Sequence, residues 1–166
     1  VTEYHVIHLV TKTVLAKTVA VQDVHNWSHR DMDKPYRDKK KGMIPPKLAR
    51  TMINLAVGEN DPKSITVFDP FCGTGTILME GLMVGVTVMG SDLDHEAVHG
   101  AGQNLQWVVK EYGVPEPARL SIQDATQVSL QEVGNKVDCI VTEPFLGKPN
   151  PTPANVDNIL KGLEKM

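Results

Sequence analysis

The residues best placed to do chemistry lie in a glycine turn that follows an apolar segment and precedes a predicted helix. The apolar segment 65–69 ends in Asp69, and the turn that follows carries Gly73 and Gly75. Glycine has no Cβ, so the chain can turn sharply there and a ligand can approach the main-chain N–H groups at the start of the helix. This pattern predicts a nucleotide-type cofactor site.

The turn differs from a dinucleotide-binding loop. A third glycine would be expected three residues after Gly75, but Leu78 stands there. The loop therefore suits a cofactor without a diphosphate. The Asp69 carboxylate repels phosphates and favours a cationic group, such as the amino group of an amino-acid-like ligand. S-adenosylmethionine (SAM) carries such a group. The simpler alternative is a glycine turn that only joins a strand to a helix.

Three further β-prone segments end in an acid, namely 86–92 in Asp92, 120–123 before Asp124 and 137–142 before Glu143. Ligands of open α/β sheets bind outside the carboxyl ends of the strands, so we expect all four carboxylates to converge on one crevice. Asp92 is placed to bind ribose hydroxyls. Each acid taken singly has the alternative of a capping or turn residue, and this is the preferred interpretation for Asp94.

Composition predicts one domain with one core, because the chain has 166 residues and 41% apolar content. Residues 1–30 are β-prone and form either a hairpin or a linker, and residues 31–166 form the main domain. The longest near-apolar run, 81–90, is too short to span a bilayer, and no signal peptide opens the chain. Cys72 and Cys139 show no disulfide spacing, which indicates a reducing, cytoplasmic setting.

Charge is distributed unevenly along the chain. Residues 30–50 contain eight Lys or Arg against three Asp, a local net charge of +5, which leaves −8 for the rest. Such a stretch is either a phosphate-contacting surface, with Trp27 and Tyr36 available to stack on bases, or a solvated loop.

Helices are predicted on both sides of the glycine turn. Residues 45–56 read as an amphipathic helix that ends at Gly58, with an apolar stripe of Leu48, Met52, Leu55 and Ala56 facing the sheet. Further helices are expected over 76–83, over 94–112 with Gly113 as its C-cap, and from 153 onward with Thr152 as its N-cap.

One motif points to a different function. His95-Glu96-Ala97-Val98-His99 matches the H-E-x-x-H pattern of zinc hydrolases. It lies directly behind the predicted ribose-binding acid, and Leu105 stands where a third histidine would be expected. We interpret the match as coincidental and predict no metal site.

The residues from Asp69 onward resemble motif I of the class I SAM-dependent methyltransferases, in the form used by the RNA methylase family that includes the tRNA guanine-N2 methyltransferases. Motif I reads Asp69-Pro70-Phe71-Cys72-Gly73-Thr74-Gly75-Thr76. The segment 37–50 is similar to the helix that precedes motif I in that family. The resemblance covers about residues 20–150.

This resemblance implies a Rossmann-like class I methyltransferase fold, which is α/β with a doubly wound, mostly parallel sheet, and SAM as cofactor. Asp69, Gly73 and Gly75 would hold the methionine part, Asp92 the ribose and Asp124 the adenine amino group. The implied cofactor-binding set is Pro46, Lys47, Asp69, Pro70, Phe71, Cys72, Gly73, Thr74, Gly75, Asp92, Leu93, Asp124 and Ala125.

The catalytic motif of relatives reads Thr-Asp-Pro-Pro-Tyr-Gly, and residues 142–147 match its length. The implied catalytic residues are Glu143, Pro144 and Phe145. Glu143 and the Pro144 carbonyl would accept N–H bonds from an exocyclic amine, and Phe145 would stack on the base. Glu143, Phe145 and Leu146 depart from the family's aspartate, proline and aromatic residue.

Together these features predict a SAM-dependent N-methyltransferase acting on RNA, with the N2 amine of a tRNA guanine as the leading substrate and the basic stretch 30–50 as the RNA contact. The alternatives are an amino-methyltransferase acting on DNA or protein, and a SAM-binding half-domain without turnover. The family's sheet has seven strands, whereas this chain provides four, so we expect truncation after strand four. A second chain or a homodimer would then complete the sheet at that edge.

Overall fold

A four-stranded parallel sheet forms the centre of the computed structural model, which describes residues 2–38, 42–115, 118–128, 137–144 and 152–164. The strands are β3 (Thr66–Asp69), β4 (Thr87–Asp92), β5 (Ala118–Ile122) and β6 (Cys139–Ile140), in the order β5-β4-β3-β6. The preceding hairpin consists of β1 (Tyr4–His8) and β2 (Thr13–Lys17), which pair antiparallel. The sheet confirms the predicted α/β class, and its fourth strand is shorter than expected.

The helices are α1 (Val24–Met32), α2 (Pro46–Val57), α3 (Thr76–Val84), α4 (His95–Tyr112) and α5 (Pro153–Leu163), with 3₁₀ turns at Pro62–Ser64 and Ala125–Gln127. The caps of α4 and α5 are as predicted. Asp94 accepts hydrogen bonds from the Glu96 and Ala97 N–H groups, and Gly113 ends α4 at a φ of +63°. The capping interpretation of Asp94 is therefore confirmed.

The main core lies on one face of the sheet, where side chains of α2, α3 and α4 meet alternate residues of β3 and β4. Its fully buried members include Ile53, Leu78, Val67, Val88 and Val108. Successive strand residues point to opposite faces, so Phe68 and Met89 form a separate cluster on the other face. The crossovers through α3 and α4 bring the carboxyl ends of the parallel strands to the same edge of the sheet.

The apolar stripe predicted for α2 is wrong in two of its four positions. Leu48 and Leu55 are 51% and 78% exposed, while the buried positions of the helix are Pro46, Ala49, Ile53 and Val57. Those four positions recur at helical spacing as regularly as the predicted stripe does. The helix therefore packs on the core, mainly against α3, through these four positions.

Helix α1 was missing from the sequence prediction, and a buried ion cluster attaches it to the domain. Arg30 of α1 is 4% exposed, and its Nε donates to Oε1 of Glu80 at 2.6 Å. Arg50 of α2 pairs with the other oxygen of Glu80 at 2.8 Å. Glu80, on α3, is fully buried. The boundary placed after residue 30 falls inside this docked helix.

Tyr36 follows α1 and is fixed against α4. Its N–H donates to Oδ1 of the buried Asn104 at 2.9 Å, and its carbonyl accepts from Nδ2 of the same residue at 3.0 Å. A second bond from this Nδ2 reaches the Thr74 carbonyl in the glycine turn at 2.9 Å. The Tyr36 ring lies directly on Gly100, where any Cβ would clash with the ring atoms. Asn104 thus ties the glycine turn to the segment after α1.

Within the described ranges, no helix is long and apolar enough to cross a bilayer.

Candidate functional site

A cleft of about 850 Å³ opens at the carboxyl ends of the parallel strands. All four predicted strand-end acids line it, namely Asp69, Asp92, Asp124 and Glu143. The glycine turn contributes Pro70, Phe71, Cys72, Gly73 and Thr74, and the residues after β4 and β5 contribute Leu93 and Ala125. The structure therefore brings together most of the residues that the sequence predicts for a cofactor site.

The glycine turn holds a conformation that requires glycine. Gly73 and Gly75 have φ values of +51° and +83°, which lie in the left-handed region that side chains disfavour. At Gly75 an added Cβ would also come within 3.1 Å of the Ala101 Cβ. The backbone conformation of the turn and its close packing on α4 thus both require glycine at position 75.

Asp92 is held in place by main-chain donors on both of its oxygens. Oδ2 accepts from the Gly73 N–H and Oδ1 accepts from the Asp94 N–H, each at 2.9 Å. Each carboxylate oxygen has a further lone pair, so the side chain can still accept from ligand hydroxyls. The glycine turn therefore fixes the rotamer of the acid that was predicted to bind ribose.

Asp69 is a buried carboxyl group at the end of β3, only 1% exposed. It accepts hydrogen bonds from the Phe71 N–H at 3.1 Å and from the Thr142 hydroxyl at 2.6 Å, both on Oδ1. Burial, with smaller contributions from the charges of Asp92 and Glu143, raises its pKa to about 7 despite these bonds. A cation bound beside it would favour its ionised form.

Asp124 serves a capping function and lines the cleft at the same time. Its Oδ1 accepts from the N–H and the hydroxyl of Thr126, at 2.9 and 2.8 Å. These two hydrogen bonds lower the pKa of the Asp124 carboxyl, so it is ionised at neutral pH. Asp124 therefore caps the 3₁₀ turn and also lines the cleft, and both of these hydrogen bonds fall on the same oxygen.

The cleft also has an apolar wall. Leu93 is 73% exposed beside Asp92. Across the cleft's lining, Met43, Ile44 and Pro45 precede α2, and Ile77 lies in the first turn of α3. Apolar side chains of this kind suit a heteroaromatic ring. The cofactor-binding set predicted from the sequence did not include residues 42–45, although their position directly before a predicted helix was a usable signal.

Three residues of the predicted cofactor set are absent from the lining of this cleft, namely Pro46, Lys47 and Gly75. Pro46 is buried in the first turn of α2. The Lys47 ammonium donates to the Gln22 side chain at 3.0 Å and lies 6.0 Å from the Trp27 ring centroid. Gly75 instead packs against α4, so its role in the site is to shape the turn.

The basic stretch is only partly available for a partner. Arg30 and Lys34 are 4% and 3% exposed, and Arg50 pairs with Glu80. The Trp27 ring carries the Arg30 guanidinium at 4.4 Å from its centroid, and Tyr36 packs on Gly100. The predicted stacking role of these two aromatic residues is therefore replaced by internal packing.

At the predicted catalytic motif, Glu143 is exposed and Pro144 is half-buried, and both line the cleft. Phe145 lies outside the described residues. The Thr142 hydroxyl, which precedes them, donates to Asp69 and so connects the catalytic motif to the cofactor end of the cleft. Sequence reasoning assigned no role to Thr142, because a lone threonine gives no signal of its partner.

Both histidines of the H-E-x-x-H motif are exposed on α4, and the His99 ring lies 3.1 Å from the Gln103 amide nitrogen. Over the described ranges, no group of three or more His, Cys, Asp or Glu side chains is arranged to hold a metal ion.

The parallel sheet, the glycine turn and the acid-lined cleft define a domain of the class I methyltransferase type. A sequence profile of the RMKL-like, methyltransferase domain family matches residues 34–159. The chain belongs to this family.

The chain is also similar to proteins named as tRNA guanine methyltransferases. The chain is 42% identical over 106 residues to tRNA (guanine(10)-N2)-dimethyltransferase of Methanothermobacter thermautotrophicus, which covers 64% of this chain and 28% of that protein. It is 33% identical over 168 residues to the Methanocaldococcus jannaschii protein of the same name, covering 95% and 46%. The rat tRNA (guanine(10)-N(2))-methyltransferase TRMT11 is 32% identical, covering 82% and 33%. The chain thus spans less than half the length of these three relatives.

Solved structures share the fold. TrmN from Thermus thermophilus superposes with a TM-score of 0.54 at 23% identity, covering 81% of this chain and 36% of that one. Magnesium protoporphyrin IX methyltransferase from Synechocystis, solved with bound SAM, gives 0.53 at 18% identity, covering 88% and 72%. Their similarity supports the Rossmann-like class I fold that the sequence predicts.

Proposed function

We propose that this chain is the SAM-binding part of an N-methyltransferase that acts on the exocyclic N2 amine of a guanine in tRNA. The observation that carries the proposal is the cleft in which four strand-end carboxylates surround a glycine turn. Relatives at 32–42% identity are named for methylation of a tRNA guanine at N2. The chain spans less than half the length of those proteins.

The cleft fits SAM in size and in chemistry. Its volume of about 850 Å³ lies within the roughly 300–1,000 Å³ usual for small-molecule sites. Asp69 would hold the amino group of the methionine part, and Asp92 would accept from the ribose hydroxyls. Asp124 would accept from the adenine amine while Leu93 covers the ring. Six further predicted contacts line the cleft, namely Pro70, Phe71, Cys72, Gly73, Thr74 and Ala125, whereas Pro46, Lys47 and Gly75 do not.

When bound, SAM supplies an electrophilic methyl group. The chain's contribution is to prepare the acceptor nitrogen, whose lone pair is delocalised into the guanine ring. We assign Glu143 and the Pro144 carbonyl as acceptors of the two amine N–H bonds, which localises that lone pair on nitrogen. A carboxylate can also take the proton that the nitrogen loses. Phe145 is proposed as the residue that stacks on the base.

RNA binding is proposed through lysines of the basic stretch other than the buried ones. Arg30, Lys34 and Arg50 serve the buried ion cluster or lie against it. The sequence run Lys39-Lys40-Lys41 is proposed to contact phosphates, together with Lys47, which is exposed although it also donates to the Gln22 side chain. Filter binding of tRNA to a chain with alanine at 39–41 measures this contribution directly.

The function test is methyl transfer to two matched tRNA transcripts. We expect tritium from methyl-labelled SAM to enter a guanosine transcript and not one in which inosine replaces guanosine, because inosine lacks the N2 amine. Glu143→Gln is expected to slow the transfer by about 10²-fold, as loss of a general base does, while SAM affinity is retained. Glu59→Gln, at an exposed acid that does not line the cleft, serves as the matched control.

Other outcomes identify other functions. Equal transfer to the inosine transcript means that a different group is methylated. Transfer to DNA or protein, with none to RNA, indicates the alternative class of amino-methyltransferase. SAM binding without transfer to any acceptor indicates a half-domain that binds the cofactor without turnover. Absence of SAM binding contradicts the proposal altogether.

Assembly and setting complete the proposal. Among the described strands, β6 is the last in the sheet order beside β3, and Ile140 is 62% exposed; we propose that a second chain or a second copy continues the sheet there. Light scattering at increasing concentration checks this, and a strict monomer without a binding partner contradicts it. We place the domain boundary between β2 and α1, with the domain continuing to residue 166. The free Cys72 and Cys139 thiols fit a cytoplasmic location.

A further inference from the structure

Thr142 connects the two ends of the cleft through a single side-chain contact. Its hydroxyl donates to Oδ1 of Asp69 at 2.6 Å, although the two residues lie 73 positions apart in the chain. Asp69 ends β3, whereas Thr142 directly precedes Glu143 and Pro144, the proposed acceptors of the amine N–H bonds. The contact therefore joins the residue proposed to hold the cofactor to the segment proposed to hold the target base.

This segment lies just beyond the sheet. β6 ends at Ile140, and the Val141 N–H makes one more main-chain bond, to the Phe68 carbonyl at 3.0 Å. At Thr142 a side-chain bond takes the place of the main-chain ladder. The direction in which the chain leaves the sheet toward Glu143 therefore depends on how firmly the Thr142 hydroxyl is held.

The strength of this bond depends on the charge of Asp69. Burial favours the neutral carboxyl, and the charges of Asp92 and Glu143 act in the same direction. The Cys72 thiol beside it is uncharged, because burial raises its pKa. A hydroxyl binds an ionised carboxylate more tightly than a neutral carboxyl group. A cationic group bound at Asp69 would therefore strengthen its bond with Thr142.

We propose that Thr142 is a positioning residue that couples cofactor binding at Asp69 to the placement of Glu143 and of the Pro144 carbonyl. With the cofactor's amino group beside it, Asp69 holds the hydroxyl firmly and orders the segment that contacts the target amine. Such coupling is reciprocal, so a base bound at Glu143 also tightens cofactor binding. The inference rests on the proposed function, because it uses the proposed roles of Asp69 and Glu143.

Hydrogen exchange at the N–H groups of residues 141–143 tests this coupling. Saturating S-adenosylhomocysteine is expected to slow exchange there by about tenfold or more in wild type, as a hydrogen bond to a charged group provides. Thr142→Ser keeps the donor and the response, whereas Thr142→Val keeps the branched shape and loses the response. Thr51→Val, at an exposed threonine of α2 that does not line the cleft, is the matched control and responds as wild type does.

The pH dependence of calorimetric binding separates this role from a structural one. The Thr142 hydrogen bond favours ionised Asp69, so its loss raises the pKa of this carboxyl further. S-adenosylhomocysteine is therefore expected to bind Thr142→Val about fivefold more weakly than wild type at pH 7, with the difference falling toward none at pH 9. A side chain that only supports the fold would weaken binding by the same factor at both pH values.

Three results would overturn the coupling. The first is an exchange response in Thr142→Val equal to that of wild type, and the second is a loss of affinity that does not change with pH. The third is wild type that binds S-adenosylhomocysteine without any change in exchange at 141–143, which leaves the proposed function intact. Wild type that does not bind this ligand refutes the proposed function as well.

Asp69→Asn keeps the test decisive where Thr142→Val fails to fold. Asparagine retains an oxygen that can accept from Thr142 but cannot become charged. At a saturating ligand concentration its exchange at 141–143 is expected to be unchanged, and a wild-type response in this variant would overturn the coupling.

Discussion

Replacing Glu80 with leucine is expected to lower the free energy of unfolding by about 3–5 kcal/mol, because a buried ion pair is broken from one side. The two guanidinium groups of Arg30 and Arg50 would lose the carboxylate between them. That is a large part of the roughly 5–15 kcal/mol that stabilises a typical domain. Urea denaturation followed by circular dichroism measures the loss, and Glu59→Leu, at an exposed position, is expected to change stability by no more than about 0.5 kcal/mol.

A second variant separates ion pairing from packing. Combining Arg30→Met with Glu80→Leu removes both charges of the fully buried pair, so part of the lost stability is expected to return. Arg50, which is 23% exposed, can then turn its charge to water. Hydrogen exchange in residues 24–32 is expected to increase most in Glu80→Leu, since Glu80 anchors α1. A loss below about 1 kcal/mol in Glu80→Leu would show that the cluster does not hold α1 to the domain.

Replacing Asp69 with asparagine is expected to stabilise the folded chain at pH 8 and to weaken S-adenosylhomocysteine binding by at least about tenfold. Asparagine keeps the oxygen that accepts from the Phe71 N–H and the Thr142 hydroxyl, but it removes the charge proposed to hold the ligand's amino group. Stability and binding thus move in opposite directions, as is typical of a residue retained for function.

The pH dependence of this effect has a defined sign. The pKa of Asp69 is about 7 in the folded chain and 3.8 in its ordinary state. The folded chain therefore binds the proton more tightly, and stability falls as pH rises from about 4 to 7. The asparagine variant lacks this fall, so its advantage is expected to be absent near pH 4 and to reach a few kcal/mol, roughly, above pH 7.

Thermal denaturation at several pH values, with calorimetry on the same samples, checks both parts of the Asp69 prediction. Asp157→Asn, an exposed acid on α5, is the control and is expected to follow the wild-type curve. An asparagine variant that is less stable than wild type at pH 8, or that binds the ligand normally, would refute the charge-based account of Asp69.

The parts of the sheet and of the candidate site that depend on local sequence patterns could be predicted from the sequence. Short β-branched segments that end in an acid, and a glycine turn that opens a helix, are both readable along the chain. Parallel strand topology then brings Asp69, Asp92, Asp124 and Glu143 together without further information. Helix ends at Asp94, Gly113 and Thr152 follow from capping chemistry in the same way.

What the sequence did not reveal depends on partners distant along the chain. Helix α1 has no long apolar stripe, and it docks through Arg30 to a carboxylate fifty positions away. Counting charge in the basic stretch therefore could not separate buried cations from exposed ones. In α2, apolar residues occur on more than one face, so periodicity alone could not select Ala49 and Ile53 over Leu48 and Leu55.

The packing of the Tyr36 ring on Gly100 divides α4 into positions of very unequal tolerance to substitution. Only glycine fits at position 100, because even a methyl group would clash with the Tyr36 ring. Glu96, His99 and Gln103, one turn away or less, are exposed and free to vary. A substitution at Gly100 would displace the Tyr36 ring and, through Asn104, the glycine turn that shapes the cleft. In a mutational library of α4, substitutions at Gly100 are therefore expected to weaken ligand binding, although Gly100 has no side chain that could contact a ligand.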